Sequence, residues 1–200
     1  GRELSLNALE KAMDTDKKLV LAAQKDVSIL EPQSTDIYSY GTLCEVKQLL
    51  KLPEGQIRIL VEGLTRVQIL GFEDNKEYFE VTVEQRPSQS EDDLRLEALM
   101  RTVMDSFESY VRSSKKIPNE VLTSVMSIND PDRFADAVAG QIQTKVEEHQ
   151  SLLETVSVEQ RLQLILNLLA KELELVELEK KIQSKVRKQI EKNQKEFYLR

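Results

Sequence analysis

Residues 42–69, TLCEVKQLLKLPEGQIRILVEGLTRVQI, contain the pattern that decides the fold class. Around Cys44 apolar residues alternate with charged ones, and the same two-residue period returns from Ile57 onward. A period of two is typical of a half-buried β-strand. Gly63 interrupts the second run before the alternation resumes. This interruption predicts a strand, a turn or bulge, and then a second strand.

Two shorter runs flank this stretch. Lys18–Gln24 (KLVLAAQ) has the composition of a buried strand, and downstream Phe79, Val81 and Val83 alternate with polar residues. Glycines punctuate the region, and the last three of them stand roughly eight residues apart, as strand turns do. We therefore expect a small antiparallel sheet or barrel, preceded by an amphipathic segment at residues 5–13.

The second half has the sequence pattern of helices, so the predicted fold class is α+β. We place a β-rich subdomain at residues 1–88 and a helical subdomain at residues 89–200. Ser90 and the acidic residues 91–93 predict a capped helix start, because carboxylates favour the positive end of the helix dipole. Apolar residues then recur at helical spacing at Leu96, Leu99, Met100, Val103, Met104, Phe107 and Val111. After a cap and first-turn proline at Asp130 and Pro131, the next predicted stripe consists of Phe134, Val138, Ile142 and Val146.

The last predicted element is one long helix from about residue 157 to residue 200. Ser157 and Gln160 have the spacing of a capping box, and neither glycine nor proline follows them. Such a helix would be ~66 Å long, too long for a compact half-domain to cover. Its apolar stripe is dense at first and thins to Ile182, Val186 and Ile190. We expect its first half to pack in a bundle and its second half to project, with the sequence ending inside a helix.

The composition of the chain argues against most kinds of catalytic, metal-binding and phosphate-binding site. The chain holds 28 Lys and Arg against 35 Asp and Glu, for a net charge of −7, with one cysteine, Cys44, and one histidine, His149. One thiol and one imidazole cannot make a zinc site or a disulfide. A catalytic triad would have to use His149, which we expect to be a solvated surface residue. No phosphate-binding glycine loop, signal peptide or membrane-spanning run occurs in the sequence. We therefore predict no catalytic, cofactor-binding or metal-binding residues, no membrane partner and a cytoplasmic setting.

Basic residues are concentrated in the last helix. Residues 177–200 contain eight basic and four acidic residues, a net +4, which leaves −11 for residues 1–176. A solvated helix face with i, i+4 pairs explains this cluster, and DNA attachment is the alternative.

The ordered combination of several segments resembles one family. These are IYSYGTLCEV (37–46), LPEGQIRILVEGLTRVQI (52–69), PNEVL (118–122), INDP (128–131), LLE (152–154) and KNQKEFYLR (192–200). Together they resemble the N-terminal, substrate-recognition region of bacterial ATP-dependent Lon proteases, and the resemblance covers essentially the whole chain.

The resemblance implies a PUA-like β subdomain followed by a helical bundle, in a protein that continues into an AAA+ ATPase and a Ser-Lys protease. ATP and magnesium would be cofactors of that homohexameric parent, which degrades misfolded and short-lived regulatory proteins, and not of this segment. The family normally has an apolar strand pair before the segment that begins here with Gly1 and Arg2. We therefore expect the sheet to lack its first strands and to have an open edge, which invites pairing with another chain.

Three functional hypotheses follow. In the first, the β-rich half binds unfolded polypeptide through Arg2, Glu3 and Leu4, which match the family segment entering the first helix, and through Tyr38 and Tyr40. Core packing is the competing interpretation of the two tyrosines. In the second hypothesis, the chain is mainly an oligomerisation and gating module, with Ile182, Val186 and Ile190 as the self-association seam. DNA attachment through the last helix is the third.

Overall fold

The computed structural model describes residues 2–90 and 93–199. Its helices and strands are listed here in chain order: α1 (Glu3–Met13), β1 (Lys18–Gln24), β2 (Ile37–Lys51), β3 (Ile57–Phe72), β4 (Val81–Gln85), α2 (Asp93–Ser114), α3 (Asn119–Met126), α4 (Pro131–Gln141), α5 (Val146–Glu154) and α6 (Val158–Tyr198). They form an antiparallel sheet followed by helices, which confirms the predicted α+β class.

The chain divides into two compact units. One comprises residues 1–89 and 144–156, and the other comprises residues 90–143 and 157–200. The sequence pattern predicts that residues 144–156 belong to the helical half, whereas in the structure α5 packs on β2 and belongs to the sheet unit. The Arg66 side chain explains the difference, because its Nε donates to the carbonyl of Leu153 (3.1 Å). The boundary after residue 88 stays a prediction.

The sheet has four antiparallel strands in the order β1-β2-β3-β4. β2 and β3 form its long central hairpin, and the turn between them places Glu54 (φ 70°) and Gly55 (φ 76°) in the left-handed region. Gly55 suits this turn because it has no Cβ to clash there. Buried side chains of the sheet are small or branched, namely Cys44, Val46, Val67 and Ile69.

Gly63 lies at a β-bulge inside one continuous strand and does not separate two strands. Cys44 pairs with Gly63 and Leu43 pairs with Thr65, so Leu64 is the extra residue on β3. Such a bulge bends and twists a strand without ending it. Of the two alternatives left open by the sequence, the structure has the bulge.

Two predicted boundaries are wrong in detail. β4 begins at Val81, and Phe79 lies before it with its ring edge-on to Phe72 at a centroid distance of 5.6 Å. The stripe predicted to run on to Val146 is broken, because α4 ends at Gln141 and Val146 begins α5. The predicted cap of α2 includes residues 91 and 92, which lie outside the described residues, as does residue 200.

The helical unit has a core formed by α2, α4 and α6. Its fully buried apolar residues include Val103, Phe107, Phe134, Ala135, Val138, Val158, Leu162, Ile165 and Leu169. The caps predicted from sequence are present, since Asp130 accepts from the amide of Arg133 (2.8 Å) and Ser157 accepts from that of Gln160 (3.3 Å). Each cap satisfies one orphan N–H at a helix start.

α6 behaves as predicted along its 41 residues. Buried residues end at Leu169, half-buried ones end at Val176, and residues 177–199 are all exposed. The second half of the helix is therefore covered by nothing in the described chain.

Candidate functional site

A cleft of about 910 Å³ lies in the sheet unit, beside α1 and β1. Residues 30–33 and 78–81 also contribute to its wall. The apolar residues that line it include Leu4, Leu6, Leu9, Leu19, Leu21, Ile37, Ile57, Ile59, Ile69, Phe72, Phe79 and Val81. This volume falls within the range of ligand-binding pockets, and the lining is chiefly hydrophobic, as such pockets usually are.

Several lining side chains are exposed to a degree unusual for their size. Leu21 is 44% exposed, and Ile59 and Phe79 are each 37% exposed. Exposed apolar side chains that line one cleft mark an interaction site more often than scattered single residues do. The cleft therefore offers an apolar face to a second molecule.

One wall of the cleft is also a sheet edge. In the part of the chain that the structure describes, β1 pairs with β2 alone. The outer edge of β1 can therefore present its backbone N–H and C=O groups to another strand. Over seven residues at about 3.3 Å each, this edge is about 23 Å long.

α1 is fixed to the sheet unit by both apolar and polar contacts. Leu9 and Ala12 are its buried residues, and the Asn7 side-chain amide donates to the carbonyl of Glu77 (2.9 Å). Lys17 follows in the left-handed region (φ 61°), and its amide donates to the carbonyl of Ala12 (2.8 Å). This turn reverses the chain from α1 into β1.

Charges of both signs line the cleft. The basic residues are Arg2, Lys11 and Lys18, and the acidic residues are Glu3, Glu31 and Glu80. Equal numbers of both signs produce no field that would select phosphate or another polyanion. The chemistry of this cleft suits an uncharged apolar ligand.

The structure brings three of the five predicted substrate-contact residues to this cleft. Arg2, Glu3 and Leu4 line it at the start of α1, and the Arg2 guanidinium donates to the side-chain oxygen of Gln24 at the end of β1. Tyr38 and Tyr40 are half-buried on β2 and are not among the lining residues.

Sequence reasoning missed the other cleft residues. Leu21, Ile59 and Phe79 are 20 to 58 positions apart in the sequence. Period-two alternation indicates which side of a strand a residue faces but not which strands share a cavity. One signal was available in the order of the predicted strands. Strands that are consecutive in sequence usually lie beside each other, so the first predicted strand, β1, is expected at an edge of the sheet.

The predicted self-association residues form a second apolar surface. Ile182, Val186 and Ile190 are 60%, 52% and 50% exposed on one side of α6. Leu175 and Leu178 extend this stripe toward the start of the helix and are 43% and 46% exposed.

Reactive groups do not meet at either surface. No cluster of three or more His, Cys, Asp or Glu suited to a metal ion occurs within residues 2–90 and 93–199. Cys44 is 3% exposed, and burial raises the pKa of its thiol. No described helix is long and apolar enough to cross a membrane.

Comparison with known proteins identifies the family. The model described as the ATP-dependent protease La (LON) substrate-binding domain matches residues 1–171. The chain belongs to this family. As a Lon substrate-binding domain it is 48% identical over 200 residues to the Lon protease of Desulforamulus reducens, a match that covers 100% of this chain and 25% of that protein. It is 44% identical over 199 residues to the Lon protease of Escherichia coli K12, with 100% and 25% covered.

A solved structure has the same fold. The N terminal domain of Mycobacterium avium complex Lon protease matches with a TM-score of 0.67 at 21% identity, over 85% of this chain and 87% of that one. This Lon substrate-binding domain spans about a quarter of the length of the curated relatives it matches.

Proposed function

We propose that the chain recognises substrates for an ATP-dependent Lon protease by binding apolar segments of unfolded polypeptide, without catalysing their cleavage. The observation that carries this proposal is the cleft beside the open edge of β1, with its exposed lining residues Leu21, Ile59 and Phe79. Membership of the Lon substrate-binding family supports it.

The cleft suits an extended segment for two reasons. A strand added to β1 would form main-chain hydrogen bonds with any sequence, which matches the need to bind many unfolded chains. Every second side chain of that segment would then enter the apolar cleft and leave water. Arg2, Glu3 and Leu4 would contact the segment near the start of α1.

The remaining functions would belong to the longer protein. Its relatives are Lon proteases, so we infer an ATPase using ATP and magnesium, together with a Ser-Lys protease, outside these 200 residues. The role of the present chain is then delivery of substrate to that machinery.

A labelled unfolded polypeptide titrated into the 200-residue chain tests the proposal. We expect Leu21→Glu to weaken binding about tenfold, which corresponds to about 1.4 kcal/mol, because a carboxylate would enter the apolar cleft. Leu60→Glu is the matched control, since Leu60 is 60% exposed on β3 and does not line the cleft. Equal binding by both variants, with unchanged circular dichroism, would refute the cleft as the binding site.

A second proposal concerns assembly, and the exposed stripe on α6 favours it. We infer that Ile182, Val186 and Ile190 contact another copy of the chain, as part of the homohexamer expected of the parent. Replacing all three by Gln should abolish self-association in sedimentation velocity while the helix content is unchanged. Replacing Ser184 and Lys188, which lie elsewhere on the exposed part of α6, by Gln should not.

A further inference from the structure

The charged residues that line the cleft are equal in number for each sign, but the two signs lie at different ends. α1 leads into the turn at Lys17 and the chain then returns along β1, so the end of α1 lies beside the start of β1. Lys11 and Lys18 line this end of the cleft, and both are exposed. The Arg2 guanidinium donates to the side-chain oxygen of Gln24, so the start of α1 and the end of β1 form the opposite end.

Acidic residues predominate at that opposite end. Glu3 lines the cleft in the first turn of α1. The loop after β1 returns to the same end, because the side-chain amide of Gln24 donates to the carbonyls of Asp26 (2.5 Å) and Ile29 (2.8 Å). Two residues further on, Glu31 also lines the cleft. Glu3 and Glu31 are both exposed, so their carboxylates can contact a bound chain.

The contrast remains when charged neighbours that do not line the cleft are counted. Three lysines and two aspartates, a net +1, lie at the first end, namely Lys11, Lys17, Lys18, Asp14 and Asp16. Four acidic and two basic residues, a net −2, lie at the other, namely Glu3, Asp26, Glu31, Asp36, Arg2 and Lys25. Glu80 belongs to neither end, since its segment contacts the middle of α1 through Asn7 and Glu77. The cleft therefore has a basic end and an acidic end.

The open edge of β1 lies between these two ends. β2 donates to the carbonyl of Lys17 (2.8 Å), whereas the amide of Lys18 donates to the Asp16 side chain (3.0 Å). Alternate residues of an antiparallel strand direct their backbone groups to opposite sides, so Val20 and Ala22 direct theirs, like Lys18, away from β2. An extended segment can therefore form main-chain hydrogen bonds with Val20 and Ala22, midway between the charged ends.

We propose that the cleft selects apolar segments of about five residues that have an acidic residue on one flank and a basic residue on the other. The edge of about 23 Å holds about seven residues, of which the outer two are the charged flanks. The acidic flank lies beside Lys11 and Lys18, and the basic flank lies beside Glu3 and Glu31. Flanks of like charge would place one of them beside a residue that repels it. This inference rests on the proposed function and adds the kind of segment that is bound.

The end charges choose among apolar segments, while the apolar contact supplies most of the binding. Ion pairs between exposed side chains are individually weak, and salt screens them. We expect a segment with opposite flanks to bind about fivefold more tightly than one with like flanks at 50 mM salt. At 500 mM salt the two should bind almost equally.

Three fluorescent peptides with one shared five-residue apolar centre test the preference by fluorescence anisotropy. The first has glutamates on one flank and lysines on the other and is made in both orders, the second has lysines on both flanks, and the third has glutamates on both. Lys11→Glu with Lys18→Glu should reverse the preference and favour the second peptide, because the basic end becomes acidic. Glu31→Lys is an independent variant at the other end and should favour the third peptide.

Lys180→Glu with Lys181→Glu is the matched control. It makes the same change in net charge on exposed residues of the helical unit that do not line the cleft. The wild-type preference should therefore be kept. Circular dichroism of each variant should match that of the wild type, since all of the substituted side chains are exposed.

The outcomes separate this inference from the proposed function. Preferences that follow the two cleft variants, with the control unchanged, support the end charges. A preference that no cleft variant alters, or that the control alters equally, overturns the end charges and leaves the cleft as the binding site if Leu21→Glu still weakens every peptide. Binding that Leu21→Glu does not weaken, or no binding by any peptide, overturns the cleft itself and this inference with it.

Discussion

At the scale of single residues, one buried cation organises the helical unit. Arg161 is 0% exposed at the start of α6, and its guanidinium contacts the carboxylates of Asp132 (2.5 Å) and Asp136 (3.1 Å) on α4. A buried guanidinium is tolerated only where charge and hydrogen bonds compensate for its lost hydration. The two carboxylates, one helical turn apart on α4, provide that compensation.

We expect Arg161→Ala to lower the free energy of unfolding of the helical unit by about 3 kcal/mol. The change removes the ion pairs and leaves a cavity in a packed core. Arg101→Ala is the control, because Arg101 makes an exposed i, i+4 pair with Glu97 on α2 and its loss should cost less than about 0.5 kcal/mol. Urea unfolding followed by circular dichroism checks both values. Equal effects would show that Arg161 is no more important than a surface residue.

The single thiol gives a pH-dependent prediction at the same scale. Burial raises the pKa of Cys44 above its ordinary value of 9.0, and only the thiolate reacts with alkylating reagents. At pH 8 the folded chain should therefore react with iodoacetamide at least about tenfold more slowly than the chain in urea, and its rate should still be rising above pH 9. An exposed thiol, as in Cys44→Ala with Leu60→Cys, should react at nearly the same rate folded or unfolded, because Leu60 is 60% exposed. A Cys44 rate equal to that of this control would contradict the buried position.

At the scale of elements, a close approach between β1 and β2 makes one glycine necessary. A Cβ on Gly41 would lie 2.5 Å from the carbonyl oxygen of Leu21 and 3.2 Å from the Cβ of Ala22. Backbone atoms cannot move away as a flexible side chain can, so Gly41→Ala should lower the free energy of unfolding of the sheet unit by about 2 kcal/mol. Thermal unfolding of the purified variant checks this value.

Gly71→Ala is the matched control for this prediction. Gly71 also lies on a strand of the sheet, but its added Cβ would meet nothing within 4 Å. We expect a change within about 0.5 kcal/mol. A Gly41→Ala variant as stable as Gly71→Ala would mean that β1 and β2 can separate at no cost, and the cleft wall would then be adaptable.

The sequence predicts the bounds of some helices and strands and misses those of others. Apolar composition located β1 at its observed bounds, and the cap residues located the starts of α4 and α6. β2 begins at Ile37, five residues before its predicted alternating run, and Ile37 pairs with Gln24 of β1, a contact between strands that periodicity cannot detect. α5 was missed as a separate element, since its place against β2 depends on a contact between Arg66 and Leu153, 87 residues apart. Local pattern predicts element type, and distant contacts decide where elements end.

At the scale of the whole molecule, the candidate site was only partly predictable, because residues that are distant in sequence form most of it. The sequence and its family resemblance identified Arg2, Glu3 and Leu4, which are neighbours in the chain and share the cleft. The apolar wall is assembled from β1, β3 and the segment before β4, so its residues have no common sequence pattern. The exposed stripe on α6 was predictable because a single helix carries all of it.

Charge is also distributed unevenly over the whole molecule, and this limits any binding to DNA. The net +4 on residues 177–200 can neutralise roughly four phosphates, while the remaining −11 repels the same polyanion. Each neutralised phosphate contributes about −0.9 to the slope of log affinity against log salt, so affinity for duplex DNA should fall by roughly a hundredfold between 50 and 200 mM salt. Fluorescence anisotropy with a labelled duplex measures the slope, and Lys185→Glu with Lys188→Glu should abolish binding even at 50 mM. Binding that is insensitive to both salt and this charge reversal would show that DNA contacts a surface other than α6.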